Sequence, residues 1–257
     1  MSLKHVAVAV VAATLGLAPS VSLSQPAPRA APGVTYSTNA GIADQKRPDP
    51  HRFDKRVDAY LDADKAQAPA PCGILFIGSA SIVAWKTIAA DMAPAPVISR
   101  GLGGSTAEDQ IFFFDKIVAP YHPRAIFIYV GENDVVNGLT PQEALVDFKK
   151  FMDLKTKVLG ATPVYFIPAK ASPARLAFAR NEQAANELVE AYAKGRKDLH
   201  YIDAAHDAWE GGKMLGTLKP VYVQDGIHMN ADGYAGWTRI IKPYVEKESA
   251  RAASCGK

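Results

Sequence analysis

Ile74-Leu75-Phe76-Ile77-Gly78-Ser79-Ala80-Ser81-Ile82 opens with four large apolar residues, turns at a glycine, and continues with Ile82 and Trp85 at helical spacing. Four consecutive apolar residues leave no face for solvent, so the run predicts a short strand buried on both sides, followed through a tight turn by a helix. The same alternation repeats downstream. Val97–Ile98, Ala125–Val130, Val164–Ile167 and Leu199–Ile202 are further short apolar runs, separated by helical patterns. The clearest helix runs from Pro141 to Leu159, with Thr140 as cap, Glu143 completing a capping box, Gly160 as stop, and Leu145, Phe148 and Met152 facing inward. A second runs from about Ala177 to Lys194, and Phe112, Phe113 and Phe114 fall in a helix after the second strand, as core residues. Strands alternating with helices at this spacing predict an α/β fold, one parallel sheet of about five strands covered on both faces. In such a sheet ligands bind beyond the carboxyl ends of the strands, so the connecting loops are where function is sought.

The fold has a definable start. Phe53, Val57, Tyr60 and Leu61 recur at i, i+4, i+7 and i+8, marking an amphipathic helix at the head of a domain spanning residues 51–248. Upstream, Lys4, the apolar run Val6 to Ala18 and the small residues before Gln25 read as a signal peptide over 1–24, removed on export to the periplasm or medium. Residues 25–50 are rich in Pro, Ala, Ser and Gly and read as a linker; 249–257 form a polar tail. No apolar run approaches the roughly 20 residues of a membrane span. The net charge of +3 is dispersed among 257 residues, which argues against a nucleic-acid partner. Cys72 and Cys255 are the only cysteines; an oxidising compartment permits their pairing without requiring it. No Cys-x-x-Cys or His-Glu-x-x-His motif is present, so a metal is not expected.

Four loops carry candidate chemistry. The first is Gly78-Ser79-Ala80-Ser81. The second, Gly101-Leu102-Gly103-Gly104-Ser105-Thr106, is glycine-rich, yet it fails the dinucleotide pattern because Thr106 occupies the sixth place and the loop follows the second strand. The third, Gly131-Glu132-Asn133-Asp134, offers a side-chain amide donor, with Glu132 and Asp134 expected to hold the loop by local hydrogen bonds. The fourth, Asp225-Gly226-Ile227-His228, puts a carboxylate three residues before an imidazole, just ahead of Asn230, a helix cap. Lys170, Ser172 and Arg175 after the fourth strand could line a substrate cleft but read first as a solvated loop, Asp203 reads as a turn former, and His122, His200 and His206, with no partner at metal or triad spacing, read as structural or surface residues.

In this order and at these strand ends, the four loops resemble those of the SGNH hydrolases, the GDSL-like esterases, over about Gly73 to Lys242. The resemblance implies a flavodoxin-like three-layer sandwich and a serine acyl-transfer esterase that needs no cofactor. It assigns Gly104 and Asn133, with the N–H of Ala80, to the oxyanion, and Asp225 and His228 to the catalytic pair. One position departs. The family's serine stands two residues after the turn glycine, and that place here is Ala80. Ser81 and Ser79 flank it; in a helical first turn neighbours differ by about 100° around the axis, so neither automatically replaces the missing hydroxyl. The nucleophile is therefore Ser81, Ser79 or no serine. The expected function is an exported esterase acting on a small-molecule or carbohydrate ester, with a binding module of the same fold, or an O-acyltransferase, as alternatives.

Overall fold

The computed structural model describes residues 27–29, 32, 47–251 and 255; the expected leader, 1–24, and most of the linker lie outside them. In chain order the helices are α1 (Asp54–Ala66), α2 (Ala80–Ala84), α3 (Ile88–Asp91), α4 (Ala107–Phe112), α5 (Phe114–Ile117), α6 (Glu132–Val136), α7 (Pro141–Leu159), α8 (Ala179–Ala193) and α9 (Ala231–Ala250). The strands are β1 (Ile74–Gly78), β2 (Val97–Gly101), β3 (Ala125–Tyr129), β4 (Val164–Ile167) and β5 (Leu199–Tyr201). All pairings are parallel and the strand order is β2-β1-β3-β4-β5. The chain leaves β1 for one side of the sheet and then crosses to the other, which places a topological switch point between β1 and β3.

Side chains alternate across the sheet and build two cores. Ile74 and Phe76 of β1 join Trp85, Trp237 and Ile241, under α2 and α9. Leu75 and Ile77 join Phe148, Phe151 and Met152, under α7. This is the three-layer sandwich expected. The Thr140 cap is present, its hydroxyl accepting from the Glu143 N–H at 3.2 Å. The aromatic trio is only partly core: α4 ends at Phe112 and α5 begins at Phe114, and this break leaves Phe112 49% exposed while Phe113 and Phe114 are buried. The linker is not a free tether throughout, because the Arg29 N–H donates to Gly216 and its carbonyl accepts from Leu218, at 2.8 and 2.7 Å. Cys72, just before β1, is disulfide-bonded to Cys255, beyond α9. Among the described residues no helix is long and apolar enough to cross a membrane.

Gly78 closes β1 at φ +120°, and a Cβ there would run into the Tyr129 carbonyl oxygen of β3. Both terms oppose a side chain, so Gly78→Ala is expected to cost roughly 2 kcal/mol or more. Urea unfolding of the variant measures this, and a loss below about 0.5 kcal/mol would contradict it.

Candidate active site

The turn after β1 is held at both ends. Ser79 donates its N–H to the Tyr129 carbonyl at 3.0 Å, and its own carbonyl accepts from Ile82 N at 3.0 Å, starting α2. The Ser81 carbonyl accepts from the Tyr234 hydroxyl of α9 at 3.0 Å. Tyr234 also stacks on Trp85, with centroids 5.4 Å apart, and Trp237 meets the same indole edge-on. The turn and α9 are thereby clamped to one another. Ser79 and Ser81 are 2% and 3% exposed, and neither hydroxyl is bonded to His228 among the described residues. The Ala80 methyl faces the second loop: a Cβ built on Gly103 would lie 4.0 Å from it.

Gly104 adopts φ +86° and has open space where a side chain would stand. A glycine suits this conformation, and its backbone stays uncovered. Asn133 sits at the start of α6 with its amide orientation defined from both sides. Nδ2 donates to the Ser105 carbonyl at 3.0 Å, and Oδ1 accepts from Arg175 Nη1 at 3.0 Å. An amide in the flipped orientation would lose both bonds, so one N–H of Nδ2 remains for the cavity.

In the fourth loop Asp225 Oδ1 accepts from the Ile227 and His228 N–H groups at 2.8 and 2.9 Å, while Oδ2 meets His228 Nδ1 at 2.6 Å. Gly226 takes φ +67° to make this turn possible. Burial works against the Asp225 charge, but the bonds from the His228 ring and from the two backbone N–H groups outweigh it, holding the carboxyl below its usual range. Asn230 caps α9 as expected, accepting from Asp232 N and Gly233 N at 3.0 and 3.1 Å. With Nδ1 engaged by Asp225, Nε2 is the free nitrogen of the ring. Ser79, Ala80, Ser81, Gly104, Asn133 and His228 all line one cavity of about 320 Å³ at the carboxyl ends of β1, β2 and β3.

A model of the GDSL-like lipase/acylhydrolase family matches residues 77–235, from the end of β1 into α9. The chain belongs to this family. Its fold is that of a GDSL-like lipase from Bacteroides thetaiotaomicron VPI-5482, at TM-score 0.62 and 22% identity over 74% of this chain and 97% of that one. It is likewise similar to a catalytic mutant of Axe2, an acetylxylan esterase from Geobacillus stearothermophilus, at TM-score 0.54 and 16% identity over 72% and 99% of the two chains. No curated protein matches the sequence.

Below the cavity this GDSL-like ester hydrolase carries a cluster of charges that the sequence did not announce. Lys170 and Ser172, expected in a solvated loop, are fully buried, and Arg175 lines the cavity. Glu132 gathers Arg175 and Lys170: it accepts from Arg175 Nη1 at 2.8 Å and from the Tyr129 hydroxyl, with Lys170 Nζ 3.7 Å away. Burial opposes its charge, yet Lys170, Arg175 and Tyr129 together keep its carboxyl below the usual range. Lys170 also donates to the Ile227 carbonyl at 2.8 Å, tying the cluster to the residue before His228. Asp134 does hold its loop, accepting from Gly131 N and Ala107 N at 2.9 and 3.0 Å.

Glu182 completes the cluster from α8. It is 1% exposed, and neither carboxyl oxygen finds a partner among the described residues. Burial, and then the neighbouring Glu132, push its pKa well above the usual range. Above the unfolded-chain value of about 4.3 the native state still holds a proton that the unfolded chain has lost, so folding stability falls as pH rises through that window. Glu182→Gln removes this titration. Urea melts are expected to show the variant gaining on the parent between pH 4 and pH 8; an equal difference at both would refute it.

Contrary to the sequence expectation, His206 has a partner at triad spacing: its Nδ1 is hydrogen-bonded to Asp203 at the same i, i+3 spacing as the Asp225–His228 pair. The two pairs differ in what faces the imidazole. His206 borders a separate cavity of about 230 Å³ lined by Glu187 and Glu190. Carboxylates repel a developing oxyanion, whereas Gly104 and Asn133 offer it donors. His200 stacks on Tyr165 at 4.7 Å.

Proposed function

We propose that the cavity binds a carboxylic ester with its carbonyl oxygen on Gly104 N–H and the Asn133 amide, and that His228, oriented by Asp225, is the general base for its hydrolysis. The observation that carries this is the shared cavity: the free side of a carboxylate-held imidazole and two oxyanion donors border one space of about 320 Å³. That volume lies at the small end of ligand sites, which favours a short acyl group. An acylated carbohydrate as substrate is supported by the acetylxylan esterase of the same fold. Export fits the apolar N-terminal run and the Cys72–Cys255 disulfide, which an oxidising compartment sustains. Transfer of the acyl group to a sugar hydroxyl would use the same groups and is distinguished by product analysis.

Ala80 favours a second reading, a module that retains the site for binding alone. Hydrolysis of p-nitrophenyl acetate separates the two. Turnover lost in His228→Asn supports the esterase; inert protein that still binds a non-hydrolysable ester analogue, measured by calorimetry, supports the module.

A further inference from the structure

We propose that this site hydrolyses its ester in a single displacement, with water in place of serine as the nucleophile activated by His228. The inference rests on the ester-binding reading above. It begins at Ala80, whose methyl faces the Gly103–Gly104 loop and lines the cavity, so the chain offers a β-carbon where the attack would start and no oxygen on it.

The flanking serines do not supply one. Ser79 is extended, with N–H and carbonyl committed to Tyr129 and Ile82, and the Ser81 carbonyl is committed to Tyr234. Ser81, within α2, stands about 100° around the helix axis from Ala80, and Ser79 precedes the helix in extended backbone, so bringing either β-carbon into the direction of Ala80 means turning the backbone against those hydrogen bonds and against the Trp85–Tyr234 stack. His228, in contrast, is in place. Its Nδ1 is occupied by Asp225, its Nε2 has no protein partner among the described residues, and its side chain is 35% exposed, so solvent reaches it. A water needs about 30 Å³, roughly a tenth of the cavity, and two to four polar partners; His228, Ser79 and Ser81 all line this space.

In this mechanism Nε2 removes one proton from water as its oxygen bonds to the acyl carbon. Charge gathers on the carbonyl oxygen against Gly104 and Asn133. As the tetrahedral species collapses, the bond from the acyl carbon to the alkoxy oxygen breaks, and the proton held on Nε2 passes to the departing alkoxide. The products are a carboxylic acid, whose new oxygen comes from water, and an alcohol. No acyl-enzyme forms.

The test is p-nitrophenyl acetate hydrolysis by the whole protein, with and without a saturating serine-directed fluorophosphonate, followed by intact-mass spectrometry. Turnover above buffer without an initial burst, unaffected by the fluorophosphonate and with no adduct, is expected, and His228→Asn is expected to lower it at least tenfold, with its fold checked by urea melt. A burst, or an adduct on Ser79 or Ser81 accompanied by inactivation, overturns the proposal. So does a parent protein with no turnover while Ala80→Ser is active, an outcome that leaves the ester site standing. If both are inert, the ester-site reading falls with it.

Discussion

Ala80→Ser is expected to raise the turnover of p-nitrophenyl acetate by about two to four orders of magnitude, the range that a correctly placed nucleophile and general base contribute. The same change is expected to create a single fluorophosphonate adduct on a peptide containing residue 80. A hydroxyl on this β-carbon enters an existing cavity, on a turn that Tyr129, Ile82 and Tyr234 already hold. His228 and Asp225 need no rearrangement, because their mutual bond and the two backbone bonds to Asp225 are present without it. The substitution adds one atom at a position already open to a cavity, so stability is expected to change by less than about 0.5 kcal/mol. A folded variant that neither labels nor turns over faster than the parent would show that the imidazole and the turn are not in register.

Asn133→Ala, made in the Ala80→Ser background, is expected to lower kcat by about two to three orders of magnitude with a much smaller change in KM, as loss of one oxyanion donor does. Its amide is oriented before substrate arrives, by Ser105 on one side and Arg175 on the other, and orientation in advance is what makes such a donor effective. A parallel Arg175→Met variant tests that orientation: it leaves the amide in place and removes the donor to Oδ1, so kcat is expected to fall by less than in Asn133→Ala. Equal turnover in the presence and absence of Asn133 would remove it from the mechanism.

How much of this could be read in the chain depended on how far apart the partners lie. The buried strands carry their own signal, and β1, β3 and β4 match the apolar runs to within a residue because continuous hydrophobicity has no alternative to burial on both faces. Asn230 and Asp225 bond within three residues of themselves, so their geometry is local and was legible. For Lys170 and Arg175 the sequence leaves cleft and solvated loop both open, because their partner Glu132 lies about 40 residues away and a polar loop looks the same whether its counter-charge is protein or water. The pairing of Cys72 with Cys255 is non-local for the same reason. The Asp203–His206 pair was overlooked although its spacing equals that of Asp225 and His228; spacing marks the pair, and only the opposing wall distinguishes one from the other.

The disulfide joining the head of β1 to the tail beyond α9 spans 183 residues of sequence and encloses the sheet, α9 and every group of the site. Its consequence is mechanical. A pull on the two ends of the chain loads α1, then passes from Cys72 to Cys255 through a covalent bond and bypasses every element between them. The oxidised protein is therefore expected to conceal roughly 600 Å of contour length, at 3.3–3.6 Å per residue, in single-molecule stretching, and to release it only after reduction. The sheet, α9 and the cavity residues would thus stay within one covalent loop under tension that unravels the chain on either side of it.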